Sequence, residues 1–184
     1  MEPFKANFVK YLLFCLFLSL ITSCGDGQKT ELQPSAHIAF IGNNLCSRMM
    51  EYDHFETELY LRYPDHNLYI RNMCDPGNTA GFRPHPGRFD PWAFPGAQMF
   101  HPDKQHPSYS EGHFASPDEW LTNHKADIVL AFFGHNESFY GADGLANFSA
   151  ELKAFITHTK SQMYNGVSGP KLVMVSPIAF QDLS

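Results

Sequence analysis

Residues 37–49 read HIAFIGNNLCSRM. Ile38 to Ile41 form an apolar run too short for a helix and suited to a buried strand. Gly42 then offers a turn, and the polar residues after it open a helix. A strand that feeds straight into a helix is the first half of a βαβ unit. Three more apolar runs follow: NLYIRN at 67–72, DIVLAFF at 127–133 and KLVMVS at 171–176. The last two are near-continuous, as expected of strands buried on both faces.

The segments between these runs carry helical spacing. In 46–64, Tyr52, Phe55 and Leu59 fall at i, i+3 and i+7, which predicts one helix stopped by Pro64. In 144–166, Leu145, Phe148, Leu152, Phe155, Ile156, Thr159 and Met163 form a second stripe, with Asn165-Gly166 as its stop. Ser116-Pro117-Asp118-Glu119 reads as a capping box that opens a short helix over 117–125. Strand and helix alternate, so the expected fold is α/β: a flavodoxin-like three-layer sandwich around a parallel sheet. The strand at 171–176 has nothing after it to cover its edge. The sheet is therefore expected to be incomplete on its C-terminal side, and the 184 residues to be the front part of a longer domain.

Residues 73–126 differ in kind, holding eight of the thirteen prolines and five glycines. Loops of this length are functional or disordered. Phe82, Phe89, Trp92, Phe94, Phe100, Tyr109 and Phe114 argue for packing, as an inserted segment over 73–116. Two roles stay open for these rings: a lid or sugar-stacking surface over a site, or a satellite core beneath the loop. The histidines of this region (His85, His101, His106, His113, His124) fit no compact metal-ligand spacing, and no metal or cofactor is expected.

At the N-terminus, Lys5 and Lys10 precede the apolar run YLLFCLFLSLIT. The run is too short to span a bilayer comfortably and reads as a signal-peptide core. Residues 21–24, ITSC, resemble the lipobox of bacterial lipoproteins. That resemblance implies a signal peptide over 1–23, lipidation of Cys24, and a domain at 36–184 held outside the cytoplasm by a flexible tether at 24–35. Cys46 and Cys74 would then be the only cysteines of the mature domain, free to bridge or to stay as separate buried thiols. The chain is 43% hydrophobic, rich in aromatics and mildly acidic, with a formal net charge of −6. It has no basic stripe, which excludes a nucleic-acid footprint.

Ligands of open parallel sheets bind beyond the carboxyl ends of the strands. Three Gly- and Asn-bearing turns belong at that edge: GNNL at 42–45, NMCDPGNTAG at 72–81 and GHNES at 134–138. Strand-Gly-Asn-Asn-Leu resembles the Gly-Asp-Ser-Leu block of SGNH (GDSL-type) esterases and lipases. The second turn is similar to that family's second block, and FFGHNES to its third, in matching chain order. AFFGHNESF and KLVMVSPIAFQDL are also similar to the GDSL-like leading module of large exported multidomain proteins.

The resemblance implies an ester hydrolase acting on acyl or O-acetyl esters of carbohydrate. It places Gly77 and Asn136 at the oxyanion-hole positions and Asn44 at the nucleophile position. Asn43, His135 and Glu137 would line the ligand site. The pattern breaks at Asn44, because a carboxamide is a very poor nucleophile. The family's C-terminal Asp/His block is also not matched, since Asp182 has no histidine three residues on. A non-catalytic, membrane-tethered module that binds a carbohydrate or other small ligand is the alternative. Asn44 itself has two readings, as ligand contact or as helix N-cap. Gly77 has a second reading as a plain turn glycine, Glu137 as a capping or a solvated carboxylate, and His135 as a wall residue. Cys46 and Ser47 are weak substitutes for a nucleophile, since neither has an identifiable base.

Overall fold

The computed structural model describes residues 32–104 and 112–178. The signal segment, Cys24, most of the tether, His106, Tyr109 and Asp182 lie outside the described residues. Four strands form one parallel sheet: β1 (His37–Gly42), β2 (Tyr69–Asn72), β3 (Ile128–Phe132) and β4 (Lys171–Met174). Their order is β2-β1-β3-β4. Ile38 pairs with Ile70 on one side and Ile128 on the other, and Ile128 pairs with Lys171. All four expected strands are present, and the architecture is the three-layer α/β sandwich. β3 is buried along most of its length, but β4 is only half-buried, because it lies at the sheet edge.

Alternation along β1 divides the core in two. Ile38 and Phe40 face Cys46, Leu45, Met49 and Leu59. Ala39 and Ile41 face Phe155, Leu121 and the aromatic residues of the long segment. Residues 44–62 form two helices where the spacing predicts one: α1 (Asn44–Tyr52) and α2 (His54–Arg62). The break is at Asp53, whose φ of 48° is left-handed. Aspartate tolerates that region because its short side chain is compatible with local turn hydrogen bonds. The bend leaves Tyr52 62% exposed and Phe55 40% exposed, so the expected apolar stripe covers the sheet only in part.

On the other face, α3 (Pro117–His124) begins with the expected capping box. Ser116 Oγ accepts from the Glu119 N–H and Glu119 Oε2 accepts from the Ser116 N–H. After the short α4 (His135–Ser138) comes α5 (Gly141–Ser161). Phe155 and Thr159 are fully buried, whereas Leu145 and Met163, at the ends of the predicted stripe, are exposed. Among the described residues of 73–116 there are a single 3-10 turn, Ala97–Phe100, and two isolated bridges. Several of these residues join the core of β1, α3 and α5 directly, with Phe94 buried among them. Phe82 packs on Trp92, Phe94 on Phe100 and Phe114 on Trp120. The question about the two cysteines resolves as a Cys46–Cys74 disulfide that ties α1 to the end of β2, with Cα atoms 5.7 Å apart. Among the described residues no helix is long and apolar enough to cross a membrane.

Candidate functional site

The order β2-β1-β3-β4 sends the chain to one side of β1 and then to the other, so the switch point lies between the carboxyl ends of β1 and β3. Gly42 leaves β1 at φ +151°, where a Cβ would stand 2.5 Å from the Phe132 carbonyl oxygen. No larger residue allows that approach. The Asn43 N–H then donates to the same Phe132 oxygen at 3.2 Å.

Asn43, not Asn44, is the N-cap of α1, and its side chain makes no capping bond. The reading of Asn44 as a cap is thereby corrected: it is the first helical residue, half-buried at the cleft. Asn43 is only 1% exposed, and its Nδ2 has no hydrogen-bond partner. A buried amide donor left unpaired is costly, so it marks a place where a ligand acceptor would be favoured.

The three turns do converge. Asp75 N–H and Asn78 Nδ2 each donate to the Gly42 carbonyl at 3.1 Å. Asn136 Nδ2 donates to the carbonyls of Pro76 at 2.7 Å and Asn78 at 2.9 Å. One carboxamide thus joins the first turn to the second, and another joins the second to the third. These bonds also occupy the two positions the resemblance assigns to an oxyanion hole. Both Asn136 amide hydrogens go to backbone carbonyls. The Gly77 N–H donates to Asp75 Oδ1 at 3.1 Å. Donors that stabilise a developing oxyanion must point at an open position, and these are already taken by oxygens of the chain itself.

Between the turns and the segment after β4 lies a cleft of about 720 Å³. Asn43, Asn44, Arg48, His135, Ser138 and Ser176 supply its polar groups, while Leu45, Phe132, Phe133, Phe139, Val175, Pro177 and Ile178 make most of its wall apolar. Among the described residues no carboxylate lines it. Gly134, at φ +114°, brings the third turn against Pro177, where a Cβ would sit 3.2 Å from Cγ. The His135 ring stands edge-on to Phe139, with centroids 5.3 Å apart. Ser138 Oγ donates to the His135 carbonyl, not to its ring. The cleft therefore offers neutral amides and hydroxyls, with the Arg48 guanidinium, over an apolar floor. Such a set holds a carbonyl or hydroxyl group beside a short acyl chain.

Glu137 lies elsewhere. It is buried, its Oε2 accepts from the Gly134 N–H at 2.9 Å, and it faces a separate pocket on the α5 side. The solvated reading of this carboxylate is thus corrected, and its capping reading holds. Burial raises its pKa, and the charge of nearby Glu151 adds to the rise; the backbone N–H groups of Glu137, Gly134 and Ala80 oppose it.

Several polar residues of this face were not singled out from the sequence. Glu151 Oε1 accepts from the Gly81 N–H at 2.6 Å, meets His101 Nε2 at 2.7 Å and accepts from Thr79 Oγ1 at 3.2 Å. Its signal was present, since residue 151 shares the helical phase of Phe148 and Phe155. A carboxylate on an otherwise apolar stripe calls for buried partners. Arg83 and Arg88 gave no such signal, because they sit in irregular chain. The histidines of the long segment serve separate partners: His85 stacks on Phe114, and His101 meets Glu151. Among the described residues no group of three or more His, Cys, Asp or Glu side chains is arranged to hold a metal ion. Comparison with models of protein families, with curated proteins and with solved structures finds no match to this chain.

Proposed function

We propose that this chain is an exported SGNH-like module that binds a small acyl ester or esterified sugar in its switch-point cleft and does not cleave it. The observation that carries the reading is the disposition of the three amides. Asn44 puts a carboxamide where attack would start, Asn136 spends both hydrogens on backbone carbonyls, and Asn43 keeps a buried donor unused. A mostly apolar wall with amides, hydroxyls and the Arg48 guanidinium, and among the described residues no carboxylate, suits the carbonyl of an acetyl or short acyl group. Export and tethering through lipidated Cys24 rest on the lipobox resemblance. The Cys46–Cys74 disulfide supports export, because such bonds persist in oxidising compartments.

The test uses the full chain with two probes. With p-nitrophenyl acetate we expect no turnover above buffer. With acetylated xylo-oligosaccharides we expect saturable binding by ligand-observed NMR, weakened about tenfold by Asn44→Leu, the size of one or two lost hydrogen bonds. Turnover that disappears in His135→Ala would establish the hydrolase instead. Failure of the acetylated sugars to bind would sink the ester-binding reading. The hydrolase implied by the resemblance has its own direct trial in Asn44→Ser, where new esterase activity would show that only the nucleophile is missing.

A further inference from the structure

The pocket on the α5 side of α4 has the opposite character from the switch-point cleft. It measures about 290 Å³, and four carboxylates line it: Glu137, Glu151, Asp103 and Asp143. Among the described residues neither lysine nor arginine lines it; Lys104 pairs with Asp103 at 3.5 Å, and the lining His101 is taken by Glu151 at 2.7 Å. Phe100, Tyr140 and Phe148 supply the apolar part of the wall.

The hydrogen bonds of the two inner carboxylates are unequal. Glu151 is served by three partners on Oε1 alone: Gly81, His101 and Thr79. Glu137 is not. Its Oε2 takes the Gly134 N–H, but Oε1 has no hydrogen-bond partner although the residue is only 7% exposed. A carboxylate oxygen buried without a donor costs free energy that a ligand donor would recover. The rise in the Glu137 pKa has a related origin: burial disfavours the charge, and the backbone N–H groups of Glu137, Gly134 and Ala80 offset only part of that cost.

We propose that this pocket binds a small organic ammonium ligand, its N–H donating to Glu137 Oε1 and its methylenes lying against Tyr140, Phe148 and Phe100. The chemistry selects this class over its rivals. A divalent metal ion needs several oxygens in one coordination shell, and no such group exists among the described residues. An anion faces four carboxylates, and the lining His101 is already paired with Glu151. A neutral sugar leaves the negative wall uncompensated. An alkylammonium brings three donors on a compact cation, can lie near ring faces, and packs its stem on apolar surface. The volume admits a small molecule of this kind. The site is independent of the ester-binding cleft: His135 and Ser138 of α4 line that cleft, whereas Glu137 lines this pocket.

Isothermal titration of the full chain with cadaverine, and with 1,5-pentanediol as its uncharged counterpart, tests the proposal. Cadaverine should bind at least about tenfold more tightly than the diol, and Glu137→Gln should remove about that factor, the scale of one charge-assisted hydrogen bond. Tyr140→Ala, at an exposed rim position, should weaken cadaverine several-fold and keeps the test alive if Glu137→Gln fails to fold. Equal affinity for amine and diol would overturn the proposal. So would cadaverine binding that Tyr140→Ala and a folded Glu137→Gln both leave intact, which would mark general attraction to an acidic surface. Acetylated-sugar binding at the other cleft should be unchanged in Tyr140→Ala, so the two readings fail separately.

Discussion

The two faces of the sheet are closed by different means. On one, α1 buries a single residue, Cys46, and α2 buries none. Tyr60 and Leu61 of α2 stand exposed. This thin cover is held by the Cys46–Cys74 disulfide and an edge-on contact between Phe40 and Phe55. On the other face, α3, α5 and the long segment enclose Arg83, Arg88, His101 and Glu151, each nine-tenths buried or more. Arg83 lies over the rings of Phe133 and Phe155, and Arg88 over Phe114 and Trp120, at 5.1–5.4 Å. Desolvation lowers both guanidinium pKa values to about 10, with mutual repulsion adding to the drop at Arg88; both stay charged at neutral pH. A thin face needs a covalent tie. A thick one has room for polar groups, and these give an irregular, proline-rich segment a defined path.

The sharpest way to break this contrast is at Glu151. Removing its carboxylate in Glu151→Ala strands Thr79, His101 and the Gly81 N–H together, and we expect a loss of about 4 kcal/mol, the cost of deleting one partner from a buried charged network. Chemical denaturation measures it. A loss under about 1 kcal/mol would show that the network is not what orders the segment. The opposite face is tested by Cys46→Ser with Cys74→Ser. For a separation of 28 residues the chain-entropy estimate is about 3 to 4 kcal/mol. The denaturant dependence should also steepen, because an uncrosslinked chain exposes more surface on unfolding. A stability loss with an unchanged slope would place the effect in the folded state.

The same contrast governs how much was legible in the sequence. Each strand showed as a short apolar run, and α3 showed through its capping box, because these signals are local. The break at Asp53 did not show, since a left-handed aspartate interrupts a helix without glycine or proline to mark it. The convergence of the three turns was readable from strand order, but the use of their amides was not. Whether Asn136 faces a ligand or two carbonyls depends on where the loop after β2 comes to rest, and that is set by contacts distant in sequence. Glu137 was attached to the wrong cavity for a related reason: α4 is a single turn, and adjacent residues on it face different cavities.

Asn136 sits between the two faces and should respond on an intermediate scale. Asn136→Ala removes two hydrogen bonds to carbonyls that then lack those donors, and we expect about 2 kcal/mol, from roughly 1 kcal/mol per bond. Amide exchange should quicken at Asn78 and Asp75, the residues that meet Gly42, and stay unchanged in α2. Uniform quickening across the domain would mean that the turns are not knit locally.

The smallest expected effect is at the start of α3. This helix belongs to the thick face, yet its capping box is exposed, so it separates the burial of a polar group from its mere presence. Ser116→Ala should cost about 1 kcal/mol. Hydrogen bonds from the Ser116 backbone and side chain hold the Glu119 carboxyl below its ordinary value of 4.5. A depressed carboxyl stabilises the fold above its unfolded pKa and loses that contribution as pH falls through the folded one. The stability difference between the native chain and Glu119→Gln should therefore be steady at neutral pH and shrink below about pH 4.5. Thermal unfolding from pH 3 to 7 reads this directly. A difference that stayed constant down to pH 3 would mean that the cap works through neutral hydrogen bonding, and that charge on this face matters only where it is buried.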